Sequence, residues 1–262
     1  MVFDYYFYLI IVALVGLIIG SFVNVCIYRI PRRESIISPP SHCPVCGVPI
    51  RYRDNIPLVS YIILRGKCRS CSAPISLQYP LVEFFTACLL VLLFIIHGLT
   101  LNFFADAFLG ILLLTVAFID AQHMIIPNRI TYPGFIIGVI NSLRWGSKGF
   151  IRGIEGVIAG LLILTFMYFI GRLLFKKESV GMGDFKLLCV IGFFLGPLLS
   201  IAVLVIAIVI GGLWGSYLII TKKAGRESEV PFGPYIAIGG IVVLFFRYQI
   251  LSIIEGYISM IL

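Results

Sequence analysis

Residues 5–28 hold no charged side chain. The hydrocarbon core of a bilayer takes about 20 apolar residues of helix at 1.5 Å each, so this run alone predicts a membrane span. Six further apolar runs follow, at 81–97, 101–119, 133–144, 154–175, 185–220 and 235–254. The turn Gly98-Leu99-Thr100 separates the second from the third. The fourth is short and either tilts or begins near Arg129. Residues 185–220 are too many for one crossing, and Gly196-Pro197 offers a break into two. The expected fold is an all-α polytopic membrane protein of about eight transmembrane helices. With 60% hydrophobic and only 12% charged residues, a water-exposed surface cannot be assembled. A soluble domain, a nucleic-acid-binding module and a disordered chain are excluded, and membrane lipid is the expected surrounding phase. The first run does not read as a cleaved signal peptide, because Asp4 stands where a basic flank belongs and the run is too long.

The charge distribution sets the expected topology. Between the first two spans lie Arg29, Arg32, Arg33, Arg51, Arg53, Arg65, Lys67 and Arg69, which marks that side as cytoplasmic. Alternating eight spans brings Arg129, Arg172, Lys176, Lys177, Lys186, Lys222, Lys223 and Arg226 to the same side. Only Arg144, Lys148, Arg152 and Arg247 fall opposite, and both termini would lie outside.

Residues 29–80 are polar, basic and rich in Pro and Cys, too long for a plain connection. They carry Cys43-Pro-Val-Cys46 and Cys68-Arg-Ser-Cys71, two knuckles 21 residues apart. That is close to zinc-ribbon spacing, and four thiolates so placed close a tetrahedron around Zn²⁺. Gly47 and Gly66 suit the turns of such knuckles. A redox dithiol pair, or simply reduced cysteines, is the blander reading; a reducing cytoplasm disfavours stable disulfides. No repeat of 20 to 50 residues is expected. Cys26, Cys88 and Cys189 fall inside spans and read as small apolar filler.

Acidic residues at the membrane are costly and mark function by default. Asp120 ends the third span and Asp184 opens the sixth, after Gly181-Met182-Gly183. Two spans separate them, so both fall at one membrane level, as a carboxylate dyad requires. Two carboxyls sharing one site do not both ionise readily, leaving one as acid and one as base toward water. The blander reading makes Asp184 a helix N-cap and Asp120 a loop residue. Gly181 and Gly183 permit an unwound, close-approach backbone beside Asp184, and Pro127 and Pro133 break the helix after Asp120. Glu83 opens the second span on the same side, where the helix dipole alone would favour it, and is a further candidate for the site. Asp106 and Glu155 read as interfacial solvation, and His123 as an interface residue.

An ordered set of motifs resembles the type IV prepilin peptidases, bacterial inner-membrane aspartic proteases with a G-x-G-D signature. It runs through Gly20-Ser21-Phe22-Val23-Asn24-Val25 and Tyr28-Arg29, then Pro40 to Cys46 and Asn55 to Tyr61. It continues through Cys68-Arg69-Ser70-Cys71, Ile75-Ser76, Tyr79-Pro80 and Glu83, and ends with Ile119-Asp120, Ile126-Pro127-Asn128 and Gly181 to Lys186. The resemblance implies that Asp120 and Asp184 are catalytic, with Gly181, Gly183, Lys186 and Glu83 supporting the site. It implies cleavage of the leader of prepilins and pilin-like proteins after a glycine, at the cytoplasmic face of the inner membrane. Relatives with a cysteine-bearing insert are typically bifunctional and then N-methylate the new terminus from S-adenosylmethionine. The implied layout is a first transmembrane helix over 1–28, a methyltransferase-associated cysteine domain over 29–80, and a seven-helix peptidase core over 81–262. Where some relatives carry a second acid two residues after the first aspartate, this chain has Gln122. Two other classes stay open: a proton- or cation-coupled carrier with a zinc-binding insert, and a non-enzymatic zinc-ribbon scaffold on a membrane anchor.

Overall fold

A computed structural model describes residues 2–175, 181–221 and 230–261. Lys176, Lys177, Lys222, Lys223 and Arg226, used above for topology, lie outside the described residues. The long helices are α1 (Val2–Arg29), α3 (Gln78–His97), α4 (Leu101–His123), α5 (Asn128–Leu143), α6 (Gly146–Phe175), α7 (Met182–Leu195), α8 (Pro197–Ile220) and α9 (Gly233–Ile261). A short α2 (Val59–Ile63) lies in the insert. No strand forms among the described residues, only two isolated bridges.

These helices fall on the eight apolar segments, but six of them are long and apolar enough to cross a membrane. Helix α5 has 16 residues and α7 has 14, so they reach about 24 and 21 Å against a core of about 30 Å. The expected break is present. Gly196 ends α7 with φ +75° and Pro197 occupies the first turn of α8, each in its favoured place. Pro133 does not break a helix. It lies one turn inside α5, which starts at Asn128 behind an extended Pro127. Packed neighbours re-satisfy the backbone at such positions in membrane helices.

The chain divides into two compact units, residues 1–107 and 108–262. In the first, α1 runs antiparallel to α3: Tyr5 stacks on Phe94, and Asn24 Nδ2 donates to the Tyr79 carbonyl. Gly16 and Gly20 form a small-xxx-small pair that lets the backbones meet, because a Cβ at either would come within 2.6 Å of the Cα of Ala87 or Glu83. The opposite face of α1, including Phe7, Leu14 and Ile18, is exposed, as a lipid-facing surface would be. Asp106 is not solvated: it is buried, and its carboxylate lies 3.0 Å from His97 Nε2 across the α3–α4 turn.

In the second unit α6 and α7 approach closely. A Cβ on Gly192 would lie 2.5 Å from the Val157 nitrogen and 2.7 Å from the Gly156 carbonyl carbon. On α5, Gly138 meets Phe193 and Phe194, and on α9, Gly239 meets the Val203 carbonyl. With no hydrophobic drive between helices in lipid, such close packing carries the association. Gly192→Leu is therefore expected to destabilise the fold by about 1–3 kcal/mol. Gly212→Leu, on α8 with open space around it, should stay within about 0.5 kcal/mol. Thermal unfolding in detergent reads both, and equal midpoints would contradict this packing.

Candidate functional site

Asp120 lies in the last turn of α4 and Asp184 in the first turn of α7, and both are buried, at 5% and 6% exposure. Asp120 Oδ2 accepts the Gly233 N–H at 2.9 Å, from the first residue of α9. Asp184 Oδ2 accepts the Gly181 N–H at 3.0 Å, so Asp184 stands at the third helical position and reaches back to the cap rather than being the cap. The two are close enough that the charge of Asp120 acts on Asp184. The N-terminus of α5 joins them, because Lys186 Nζ donates to Asn128 Oδ1 at 2.8 Å. The N-termini of α5, α7 and α9 thus meet the C-terminus of α4, and their positive dipole ends favour negative charge there. Asp120 sits at the unfavourable end of its own helix, which the α9 N–H offsets.

The glycines divide in function. Gly183 is helical, not unwound, and is needed for close approach: a Cβ would lie 2.8 Å from Ile126 Cβ. Gly181 is extended, at φ −81° and ψ 150°, a conformation open to any residue. Gly233 was not foreseen. A Cβ there would come 2.6 Å from Asp120 Oδ2, so only glycine leaves room for the carboxylate. The signal was Gly233-Pro234, a helix start just ahead of the last apolar run.

Glu83 is also buried, in α3, and belongs to the first unit. Its Oε2 accepts the Leu58 N–H at 2.8 Å. Its hydrogen-bond partner thus comes from the insert, and Gly20 of the first helix packs against its backbone.

The insert brings Cys43, Cys46, Cys68 and Cys71 together, with all four sulfurs within 4.8 Å of one another and Cys43 Sγ 3.9 Å from Cys71 Sγ. Zinc ligated at 2.3 Å by four thiolates puts the sulfurs about 3.8 Å apart, so the set fits a metal ion. The backbone N–H groups of Cys46 and Val45 hold the Cys43 thiol down to about 6. At Cys71 the Ala73 N–H pulls the same way, but desolvation and the three neighbouring sulfurs prevail and push it up to about 11. Gathered thiolates thus resist sharing negative charge, which a dication would relieve.

The two knuckles are structural copies 25 residues apart (Cys43 to Cys68). His42 bridges Pro49 as Lys67 bridges Pro74, and Cys43 N donates to Val48 O as Cys68 N donates to Ala73 O. The ten-residue repeat 41–50 and 66–75 escapes a search for whole repeating units because only C-x-x-C-x-x-P-I is shared. The register also corrects Gly66. The positive-φ position of the first knuckle is Gly47, and its counterpart in the second is Ser72, at φ 59°. Gly66 instead closes the turn after α2, where a Cβ would crowd the Tyr61 hydroxyl. Asp54 fixes the second knuckle through a paired hydrogen bond from Arg69, which holds its carboxyl below the usual carboxylate range. Purified protein is expected to carry about one metal ion per chain. Cys43→Ser with Cys46→Ser should release it; metal content by mass spectrometry that is unchanged in the double variant would contradict this.

Residues 14–97 match the bacterial peptidase A24 N-terminal domain, and residues 107–216 match the type IV leader peptidase family. A prepilin leader peptidase/N-methyltransferase of Aeromonas hydrophila is 36% identical over 90% of both chains. One of Bacillus subtilis (strain 168) is 36% identical over 94% of this chain and 96% of its own. One of Aeromonas salmonicida (strain A449) is 35% identical over 97% and 95%. No solved structure matches.

Proposed function

Because the chain belongs to the type IV leader peptidase family, we propose that it removes the leader of type IV prepilins and pilin-like proteins and then N-methylates the new terminus. The observation that carries the peptidase half is the pair of buried carboxylates, Asp120 and Asp184, at the ends of α4 and α7 and within electrostatic reach of each other. Cleavage follows the glycine of the leader junction at the cytoplasmic face of the inner membrane. One carboxylate takes a proton from water as that water attacks the scissile carbonyl carbon. The other, protonated, donates to the carbonyl oxygen. Collapse of the tetrahedral intermediate breaks the C–N bond, and the leaving amine takes a proton from the pair. Gly181 and Gly233 hold the carboxylates by their N–H groups, Gly183 lets α7 approach Ile126, and Lys186 ties α7 to α5.

Residues 29–80 serve the methyl transfer from S-adenosylmethionine, with Cys43, Cys46, Cys68 and Cys71 holding a structural zinc ion. The bound zinc would supply no chemistry beyond fixing the two knuckles. Residues 108–262 form the peptidase core; α3, which the sequence assigns to that core, belongs instead to the first unit. The carrier reading has no support: the two aspartates gather at helix ends beside one another, and the family is one of peptidases.

Asp120→Asn and Asp184→Asn are each expected to lower cleavage at least about 100-fold, while a pre-cleaved subunit is still methylated. The assay is intact-mass analysis of a prepilin with Gly before Phe at its junction. Wild-type cleavage by either variant would sink the pair. Gly233→Ala, which drives a methyl group into the Asp120 carboxylate, should lower cleavage about tenfold or more without changing expression. A neutral result would show that the Gly233 contact does not position Asp120.

A further inference from the structure

The first unit holds a cavity of about 620 Å³ where the end of α1, the insert and the start of α3 meet. That is the size of a small-molecule site. Ser21, Asn24, Val25 and Tyr28 line it from α1, one helical stripe at i, i+3, i+4 and i+7. They belong to the sequence motif at the end of α1 to which peptide cleavage assigns no role. Gly20 brings that stripe against α3, with no room for a Cβ beside Glu83.

Two buried groups on the wall have hydrogen-bonding capacity left over. Asn24 is 3% exposed; its Nδ2 donates to Tyr79, yet its buried Oδ1 accepts nothing. Glu83 is 8% exposed and takes the Leu58 N–H, with no Lys or Arg paired to it among the described residues. A carboxylate offers about four acceptor sites, so Glu83 can take roughly three more donors. The other buried charge on the wall, Arg29, already donates to the Ser35 and Pro39 carbonyls. A buried anion without a cation is costly. Together with an unused amide acceptor, it suits a ligand that brings positive charge and N–H groups.

We propose that this cavity is the methyl-transfer site. It takes an adenosyl sulfonium methyl donor together with the free amino terminus of the cleaved subunit; Glu83 accepts the proton and Asn24 Oδ1 orients the amine. The inference rests on the methyltransferase half of the proposed function and assigns it to the first unit, which does not contain Asp120 or Asp184. The Glu83 carboxylate removes a proton from the α-ammonium group. The amine lone pair then attacks the methyl carbon; an N–C bond forms as the C–S bond breaks, and that electron pair stays on sulfur as a neutral thioether. The product is a secondary ammonium, and Glu83 returns its proton to water. Glu83 therefore belongs to methyl transfer rather than to peptide cleavage.

The test uses the full chain in lipid nanodiscs. Ultraviolet cross-linking with methyl-tritiated S-adenosylmethionine, followed by digestion, is expected to label peptides within residues 21–83. Methylation is measured separately on a pre-cleaved subunit beginning with Phe, so cleavage does not enter. Glu83→Gln is expected to slow it roughly 100-fold while still taking the label, and Glu83→Asp to recover part of the rate. Methylation by wild type with the label confined to residues 108–262 overturns the cavity and leaves the bifunctional reading intact. Methylation by Glu83→Gln at the wild-type rate overturns its role as proton acceptor. A wild-type chain that never methylates the subunit overturns the methyltransferase reading and this proposal with it.

Discussion

Removing a carboxylate from water at a membrane helix costs several kcal/mol unless backbone donors or opposite charge meet it. This protein buries Asp120, Asp184, Glu83 and Asp106. Three of them take backbone N–H groups, from Gly233, Gly181 and Leu58, and Asp106 faces His97. Much of the architecture follows from supplying those donors. Helices α5 and α7 are too short to cross alone, and their N-termini converge with that of α9 on the end of α4. Glycine allows this convergence, at Gly183 by close approach and at Gly233 by leaving space for a carboxylate. A full-length α7 extended past Gly181 would consume the N–H groups that face Asp184.

The helices were legible because lipid imposes one rule on sequence: every backbone group must be satisfied within the segment, so apolar length reads directly as span. The break at Gly196-Pro197 followed from the same rule. Helix length at α5 and α7 was less legible, since apolarity marks what avoids water and not what reaches across. Asp106 was misjudged because its partner His97 lies across a turn, a pairing that hydropathy cannot register. Pro133 was given a breaking role that tertiary packing overrides. The cysteine tetrad was plain from spacing, whereas Ser72 at a positive φ carries no glycine to announce it.

On the proposed reading, the two units divide the chemistry. In the second, two acids are brought together by helix ends, a geometry for activating water. In the first, an acid without a cation faces a cavity, a geometry for receiving a positively charged ligand. The repeated knuckles form part of the insert that closes this cavity, since Cys43 and Cys68 line it. A structural metal there would fix the cavity wall, which gives a physical reason for a cysteine insert to accompany methyl transfer.

The most direct test of the carboxylate pair reads binding rather than turnover. A prepilin-derived helix with a hydroxyethylene group in place of the scissile peptide bond mimics the tetrahedral intermediate. Wild-type protein is expected to hold it at least about 100-fold more tightly than the peptide-bonded equivalent. Asp120→Asn and Asp184→Asn should each erase that margin. Equal affinity of wild type for the two ligands, or a margin that survives both substitutions, would contradict a water-activating pair at Asp120 and Asp184.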